Sequence, residues 1–141
     1  MSATLAGYSG TPLVRKLGIK PETRLALIGA PEGFGATLGE LPLGVQVRRR
    51  LGGRPLDVIV AFHTRRAELE RRLPALANAL DPAGGLWIAW PKRASGVASD
   101  LTDVVVRDLG LAGGLVDNKV CAIDQIWSGL RLVYRLRDRP R

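Results

Sequence analysis

Three short runs of uninterrupted apolar residues constrain the fold of this 141-residue chain more than any other feature. They span residues 25–28, 58–62 and 86–90, and Gly, Pro, His or charged residues bound each of them. Runs of this length without a polar interruption are typical of strands buried on both faces, which occur inside parallel sheets. Because parallel strands need long crossover connections, we expect strands to alternate with helices along the chain.

Two segments carry the periodicity of helices. The first follows the second apolar run, and its apolar positions recur at spacings that place them on one stripe. These positions are Leu69, Leu73, Leu76 and Leu80. Pro74 lies inside this segment and predicts a kink or a break at Leu73. The second helix is predicted to begin at a cap of Ser99 or Asp100 and to end at Gly110. Its apolar face is predicted to consist of Leu101, Val104, Val105 and Leu109.

The remaining predicted elements are shorter. Residues 11–18 suit one helical turn, and residues 45–48 alternate apolar and polar side chains like a strand near the sheet edge. Two final strands are predicted at 116–123 and 130–136, joined by a hairpin-like turn. In the last strand, apolar residues alternate with Arg131, Val133, Arg135 and Arg137. This pattern predicts an outer strand with one buried and one solvated face.

Together these elements predict one α/β domain over residues 11–141, preceded by an N-terminal arm over residues 1–10. The expected architecture is a Rossmann-like three-layer sandwich with a mostly parallel sheet and a C-terminal antiparallel hairpin. A terminal hairpin on such a sheet resembles the closing pattern of class I methyltransferase folds, here in truncated form. The passage from Asp81 to Ile88, with its Pro-Ala-Gly-Gly turn before a strand, resembles the corresponding part of those folds.

Four stretches of the sequence resemble a bacterial family known as domain of unknown function 3052. They read AGYSGTPL at residues 6–13, GAPEGF at 29–34, LWIAWPKRASGV at 86–97 and IWSGLR at 126–131. The resemblance extends over nearly the whole chain. It supports the expected fold, but it implies no particular activity, since the family has none that can be carried over.

The formal charge of +8 results from 21 Lys and Arg against 13 Asp and Glu, and 17 of the 21 cations are arginine. This excess could bind a polyanion, or it could follow from a GC-rich coding sequence. The sequence contains no helix-turn-helix, zinc-ligand spacing or aromatic–basic platform, so we expect no specific nucleic-acid binding. It also contains neither an apolar run of about 18 residues nor a secretory signal, which predicts no membrane span and a cytoplasmic location.

Class I methyltransferases bind S-adenosylmethionine on a Gly-rich turn after the first strand, with an acidic residue at the end of the second. Here the turn contains Pro31, which lacks a backbone N–H, and the second strand ends in Arg48, Arg49 and Arg50. The sequence therefore predicts no intact site for this cofactor, and no other cofactor is expected. As an alternative, Arg48 and Arg49 could accept a phosphate, as an arginine near the second strand does in some dinucleotide-binding folds.

Loops that leave the carboxyl ends of parallel strands meet at one edge of the sheet, where α/β proteins bind ligands. The residues predicted to form a ligand site there are Gly29, Glu32, Gly33, His63, Lys92, Arg93, Ser95 and Asp100. Lys92, Arg93 and Ser95, with the helix turn after Asp100, could bind an anion. The same residues could also form a solvated loop with a helix cap.

His63, the single histidine, lies where a general acid or base could act, or it is a hydrogen-bonded residue at a strand end. One histidine cannot form a metal site. The single Cys121 is expected to be buried and inert, and Trp87 and Trp90 are expected to face opposite sides of the sheet.

The sequence thus favours a small binding module for an anionic ligand or a protein partner, without an intact S-adenosylmethionine site. The alternative is an enzyme that acts on a nucleotide or a phosphorylated small molecule at the same edge. Whether the chain catalyses a reaction, and in what oligomeric state, is left open by the sequence.

Overall fold

Residues 10–138, which the computed structural model describes, form one mixed sheet with helices on both faces. The strands are β1 (Arg24–Ile28), β2 (Gln46–Arg48), β3 (Leu56–Phe62), β4 (Leu80–Pro91), β5 (Leu115–Ala122) and β6 (Trp127–Tyr134). The α-helices are α1 (Leu13–Lys16), α2 (Phe34–Leu38), α3 (Arg66–Ala79) and α4 (Asp103–Ala112). Short 3-10 helices cover Arg93–Ser95 and Leu136–Asp138. The predicted N-terminal arm over residues 1–10 lies almost entirely outside the described residues.

The strand order in the sheet is β2-β1-β3-β4-β6-β5. β1 pairs in parallel with both β2 and β3, and β3 pairs in parallel with β4. β6 runs antiparallel to both of its neighbours, β4 and β5. The mostly parallel sheet with a C-terminal antiparallel hairpin is therefore confirmed.

Each face of the sheet has its own hydrophobic core. On the first face, α3 and α4 pack over a cluster that includes Ile59 and Trp90. On the second face, α1 and α2 pack over a cluster that includes Val60 and Trp87. The two tryptophans thus face opposite sides, as predicted, and the Nε1–H of Trp87 donates a hydrogen bond to the carbonyl of Leu17 at 3.0 Å.

The connections after β1 and β3 pass over opposite faces of the sheet. The helix after β1 contributes Phe34 and Leu38 to the second core, whereas α3, which follows β3, contributes Leu69 and Leu76 to the first. Where neighbouring crossovers diverge in this way, a crevice is expected at the carboxyl ends of the two strands. A ligand site is thus expected at the switch point of this sheet, defined as the carboxyl ends of β1 and β3.

The predicted bounds of β4 and of the helix before it were wrong. Helix α3 continues without a break through Pro74, whose exposed side chain points away from the core. Leu80 belongs to β4, which includes the predicted turn at residues 81–85. The register with β3 shifts between Leu56 and Val58, which pair with Leu80 and Gly85. The turn residues therefore form an irregularity within a long strand instead of ending an element.

Helix α4 also differs from its prediction. Its cap is Thr102, whose hydroxyl accepts a hydrogen bond from the N–H of Val105 at 3.2 Å, and not Ser99 or Asp100. The buried valine is Val106, whereas Val104 is 55% exposed. The helix continues past Gly110 to Ala112. Gly110 lets α4 approach β6 closely, since a Cβ there would lie 2.6 Å from a methyl group of Leu132.

The last predicted strand proved to be an interior one. β6 lies between β4 and β5, so β5 is the edge strand, and Val133 on the face predicted to be solvated is buried. The strand ends at Tyr134, and Leu136 is 79% exposed in the 3-10 helix that follows. The alternation of arginines was wrongly interpreted as an outer strand, since interior strands also expose polar side chains where helices leave a face uncovered.

Candidate functional site

The turn after β1 packs directly against the end of β3. Gly29 adopts a φ of +67°, which favours glycine, and a Cβ on it would lie 3.1 Å from the carbonyl oxygen of Phe62. The turn after β1 therefore lies close to the backbone at the end of β3, which leaves little room for a side chain at position 29. Glu32 and Gly33 follow on the exposed surface of the turn.

The short helix α2 begins at Gly33, which has a φ of +87° and provides no side-chain cap. The N–H of Phe34 donates to the carbonyl of Pro31 at 3.1 Å, so this group is already used inside the turn. A helix of five residues has a weak dipole, because too few peptide units are aligned. The sequence-based expectation of an anion site on Gly33 thus finds few available donors.

Three aromatic rings extend across the carboxyl ends of the strands on the second face. The ring of Phe34 meets that of Phe62 edge-to-face at a centroid distance of 4.9 Å, and Phe62 meets Trp127 in the same manner at 5.0 Å. Both phenylalanines are buried. These rings link α2, β3 and β6 and fill space beside the switch point. Sequence reasoning missed this cluster, although the two phenylalanines are the only ones in the chain.

His63 follows β3 and is only 3% exposed. Its backbone N–H donates to the carbonyl of Ala89 at 3.0 Å, and no hydrogen-bond partner for its Nδ1 lies within residues 10–138. Burial lowers the pKa of the imidazole below its usual value, and the positive charge of Arg72 adds to this shift, whereas Glu68 and a hydrogen bond with the backbone of Ala61 oppose it. His63 is therefore a neutral, enclosed side chain.

The segment after β4 surrounds an open groove of about 800 Å³. Among the predicted site residues, Lys92, Arg93 and Asp100 line it, together with Ser128 of β6. Ser95 is not part of this lining. Its hydroxyl donates to the carbonyl of Lys92 at 2.7 Å and accepts from the N–H of Val97 at 3.1 Å, so it is used within the loop. We call this space the β4 groove. Its lining does not include Gly29, Glu32, Gly33 or His63.

The far side of the β4 groove is attached to the end of β3. The hydroxyl of Ser99 donates to the carbonyl of Thr64 at 2.8 Å, and the carboxylate of Asp100 accepts from the N–H of Arg66 at 2.7 Å. Arg66 is the first residue of α3, so a carboxylate of the protein itself occupies the helix N-terminus nearest the switch point. Helix N-termini are the positions where α/β folds bind ligand anions.

The predicted phosphate-binding arginines lie at the edge of the sheet. Arg48 ends β2, and its Nη1 donates to the carbonyl of Gly52 in the loop that follows. Arg49 is exposed in the bend after the strand. Within residues 10–138, no cluster of three potential metal ligands occurs, and no helix is both long and apolar enough to cross a membrane.

Comparison with solved structures identifies the fold. A methyltransferase dependent on S-adenosylmethionine from Aquifex aeolicus superimposes with a TM-score of 0.62 at 15% identity, covering 85% of this chain and 86% of that one. A putative methyltransferase from Thermoplasma acidophilum gives 0.58 at 10% identity, covering 91% and 76%. The fold is methyltransferase-like.

Magnesium protoporphyrin IX methyltransferase from Synechocystis, solved with bound S-adenosylhomocysteine, gives a TM-score of 0.55 at 13% identity and covers 87% of this chain and 78% of that one. At these identities the likeness extends to the fold alone. No protein-family model and no curated protein sequence matches the chain.

Proposed function

We propose that this chain is a small binding module on a methyltransferase-like fold that does not use S-adenosylmethionine. The observation that carries the proposal is the close approach of Gly29 to the end of β3, where a Cβ on the glycine would lie 3.1 Å from the carbonyl oxygen of Phe62. A dinucleotide or similar cofactor needs an open crevice at the switch point. The residues there do not fit such a group, because backbone, the Phe34–Phe62 pair and the buried His63 fill it.

Electrostatics support the same proposal. The nearest long helix, α3, has its N-terminus covered by the carboxylate of Asp100, and β2 ends in arginine rather than in an acid. The ribose hydroxyls of a cofactor would thus meet a cation where the fold usually provides a carboxylate. Membership of the family known as domain of unknown function 3052 stays a prediction from the sequence.

We infer that the β4 groove is the binding site of this module. It contains two cations, Lys92 and Arg93, and two carboxylates, of which that of Asp100 already accepts from the N–H of Arg66. We therefore infer a small polar ligand whose anionic group contacts the two cations. An enzyme acting on a phosphorylated compound is the weaker candidate. The one histidine of the chain is enclosed outside this groove, so acid–base catalysis there would depend on exposed carboxylates.

The absence of cofactor binding is tested by thermal unfolding in millimolar S-adenosylmethionine. A ligand present at 100 times its dissociation constant stabilises a fold by about 2.7 kcal/mol, which is readily measured as a rise in melting temperature. We expect no such rise. A saturable increase in melting temperature would overturn the proposal.

The site itself is tested by native mass spectrometry of small molecules retained on purification, followed by binding measurements on Arg93→Gln. The matched control is Arg71→Gln, which removes another exposed arginine, on α3 and outside the groove. Weakening by Arg93→Gln alone supports the β4 groove. Equal weakening by both variants indicates nonspecific attraction and contradicts it.

A further inference from the structure

The outer edge of β5 is the longer of the two open edges of the sheet. Within residues 10–138, β5 pairs with β6 alone and contains eight residues, whereas β2 at the opposite edge contains three. A strand edge of this length leaves a row of backbone N–H and C=O groups with which a further strand can pair. In the second half of β5, Lys119 is exposed and Val120 is 58% exposed. This half of the strand is therefore accessible to another chain.

The direction of the backbone groups follows from the pairing of β5 with β6. The N–H of Ile123 donates to the carbonyl of Trp127 at 2.9 Å, and the register with β6 is regular from Lys119 to Ala122. Because the backbone groups of successive residues alternate in an antiparallel ladder, those of Val120 and Ala122 point away from β6. Within residues 10–138, no strand pairs with them. Two residues thus offer four hydrogen-bonding groups at this edge.

Grooves lie beside this edge on both faces of the sheet, and Val120 lines both of them. The β4 groove is on the first face, with Trp90 in its lining. A groove of about 460 Å³ is on the second face, with Trp87 in its lining, and we call it the Trp87 groove. The side chains of a strand alternate between the two faces of a sheet, so a strand added to β5 would direct them alternately to these grooves. The edge therefore provides both backbone groups and space for side chains, which are the two requirements of strand addition.

The Trp87 groove carries positive charge. Within residues 10–138 its lining contains no carboxylate, and it includes Arg15 of α1 and Lys119 of β5, both exposed. Neither of these two cations forms an ion pair in the described part of the chain. The acid of β5 itself, Asp117, is by contrast held by Arg107, whose Nε lies 3.0 Å from its Oδ2. The charge at this edge thus favours a segment that carries carboxylates.

The charge of Lys119 also determines which kind of chain the edge fits. A lysine on an edge strand discourages pairing between identical chains, and the formal charge of +8 opposes the close approach of a second copy. The same charges attract an acidic chain and increase its rate of association. The residue that protects the edge against self-association therefore favours a partner of opposite charge.

We propose that the outer edge of β5 binds an extended acidic segment of a partner protein, which becomes a further strand of the six-stranded sheet. The N–H and C=O groups of Val120 and Ala122 pair with the backbone of this segment, and its carboxylates contact Arg15 and Lys119 on the second face. The side chains that alternate with them lie beside Val120 on the first face. The proposal goes beyond the function proposed above, because backbone pairing at this edge requires no ligand in the β4 groove.

The probe is a synthetic peptide of alternating Glu and Val with the length of β5, and the same peptide with Lys in place of Glu is the reference. Calorimetry measures binding to the whole chain, and NMR measures amide hydrogen exchange in β5. We expect saturable binding of the Glu peptide, at least tenfold weaker binding of the Lys peptide, and slower exchange at Val120 and Ala122 in the complex. N-methylation of every second residue of the Glu peptide should abolish binding in one of the two possible sets and not in the other, since only one set of N–H groups can face β5.

The variant Val120→Pro removes one outward N–H and no hydrogen bond of the β5–β6 ladder, so it should fold and should weaken binding of the Glu peptide about tenfold. The matched control is Val47→Pro on the opposite edge, which should leave binding unchanged. The N–H of Val47 also points outward, because that of Gln46 donates to the carbonyl of Thr23. If a proline variant fails to fold, the N-methylated peptides and hydrogen exchange on the wild-type chain decide.

Several results would overturn the proposal. They are no binding at millimolar Glu peptide, equal binding of the two N-methylated sets, unchanged exchange at Val120 and Ala122, and equal effects of the two proline variants. Protection of these two amides in the free chain would overturn it as well. Loss of that protection on dilution would assign the edge to a second copy, and loss on deletion of residues 1–9 would assign it to the N-terminal segment of the same chain.

Discussion

Asp100 and Arg66 are joined by a hydrogen bond of 2.7 Å that links two segments 34 positions apart in the sequence. The carboxylate of Asp100 accepts from the first N–H of α3, which has no intrahelical acceptor. Asp100 thus caps α3 although it is distant from this helix in the sequence, whereas a capping side chain usually comes from the residue just before the helix. The bond also attaches one wall of the β4 groove to the end of β3.

Substitution Asp100→Ala should therefore lower the free energy of unfolding by about 1 kcal/mol, the usual effect of losing a cap near a helix N-terminus. For a chain of this size the melting temperature should fall by about 3 °C. Asp108→Ala is the control, because it removes an exposed acid from the middle of α4 and should change stability by less than about 0.5 kcal/mol. Equal effects in denaturant titrations would show that Asp100 is not a cap.

His63 should make the fold less stable in mild acid. Burial lowers the pKa of its imidazole in the folded chain, so below the unfolded value of about 6.5 the unfolded chain binds a proton that the folded chain does not. The free energy of unfolding should consequently decrease as the pH falls from 7 to 5. Chemical denaturation across this range measures it.

The variant His63→Leu should remove this pH dependence and lower stability at pH 7 by about 1 kcal/mol or less, since it loses the hydrogen bond between the imidazole and the backbone of Ala61 but buries an apolar side chain instead. A slope that persists in His63→Leu would assign the pH dependence to other groups.

Loss of the Arg24–Asp57 pair should also make the fold less stable in acid. The cause is the opposite of that at His63, because here the folded chain stabilises the charged form of the side chain. Hydrogen bonds from Arg24 lower the pKa of Asp57, against the effect of burial. Its contribution is complete above the unfolded-state value of about 3.9, shrinks below it and is lost once the pH falls through the lowered folded value.

We expect Asp57→Asn to reduce stability by about 1 kcal/mol at pH 7, a modest effect because solvent partly screens the pair, and by much less at pH 2. Asp138→Asn, at an exposed position, serves as the control. A loss that is the same at both pH values would contradict the electrostatic explanation.

Cys121 is only partly buried, not fully buried as the sequence predicted, but it should still react slowly with thiol reagents in the folded chain. Burial raises the pKa of its thiol, although Lys16, Lys119 and Lys92 act in the opposite direction. Modification by iodoacetamide at pH 7 should therefore be at least tenfold slower than in the same chain unfolded in guanidinium, because the thiolate is the reactive form. A folded rate equal to or above the unfolded rate would mean that the three lysines outweigh burial.

The sheet was predictable from the sequence because its central strands are apolar on both faces. The runs at 25–28, 58–62 and 86–90 became the buried parts of β1, β3 and β4. The turn predicted at 81–85 was not recognised as part of β4, since Pro and Gly residues occur both in turns and in irregular strands. The interior position of β6 depends on pairing with β4, a contact that local patterns do not contain.

The candidate site was predictable only in outline. The sequence predicted a site in the loops at the carboxyl ends of the strands, and Lys92, Arg93 and Asp100 do line one groove there. The sequence could not show that His63 lies outside this groove, because burial of that side chain depends on packing between distant segments. A second groove, at the amino ends of β1 and β3, was missed for a similar reason, since its lining residues Lys20, Lys119 and Arg131 come together only in the folded chain.

Strand β4 has a consequence for the order in which the chain can complete its fold. It pairs in parallel with β3 on one side and antiparallel with β6 on the other, and its residues 86–90 are buried. During synthesis, this strand emerges some forty residues before its second partner, at positions 127–134. Until then it presents an apolar edge with unpaired N–H and C=O groups, a template for association between nascent chains. Truncation before Trp127 should therefore produce aggregates rather than a smaller folded domain.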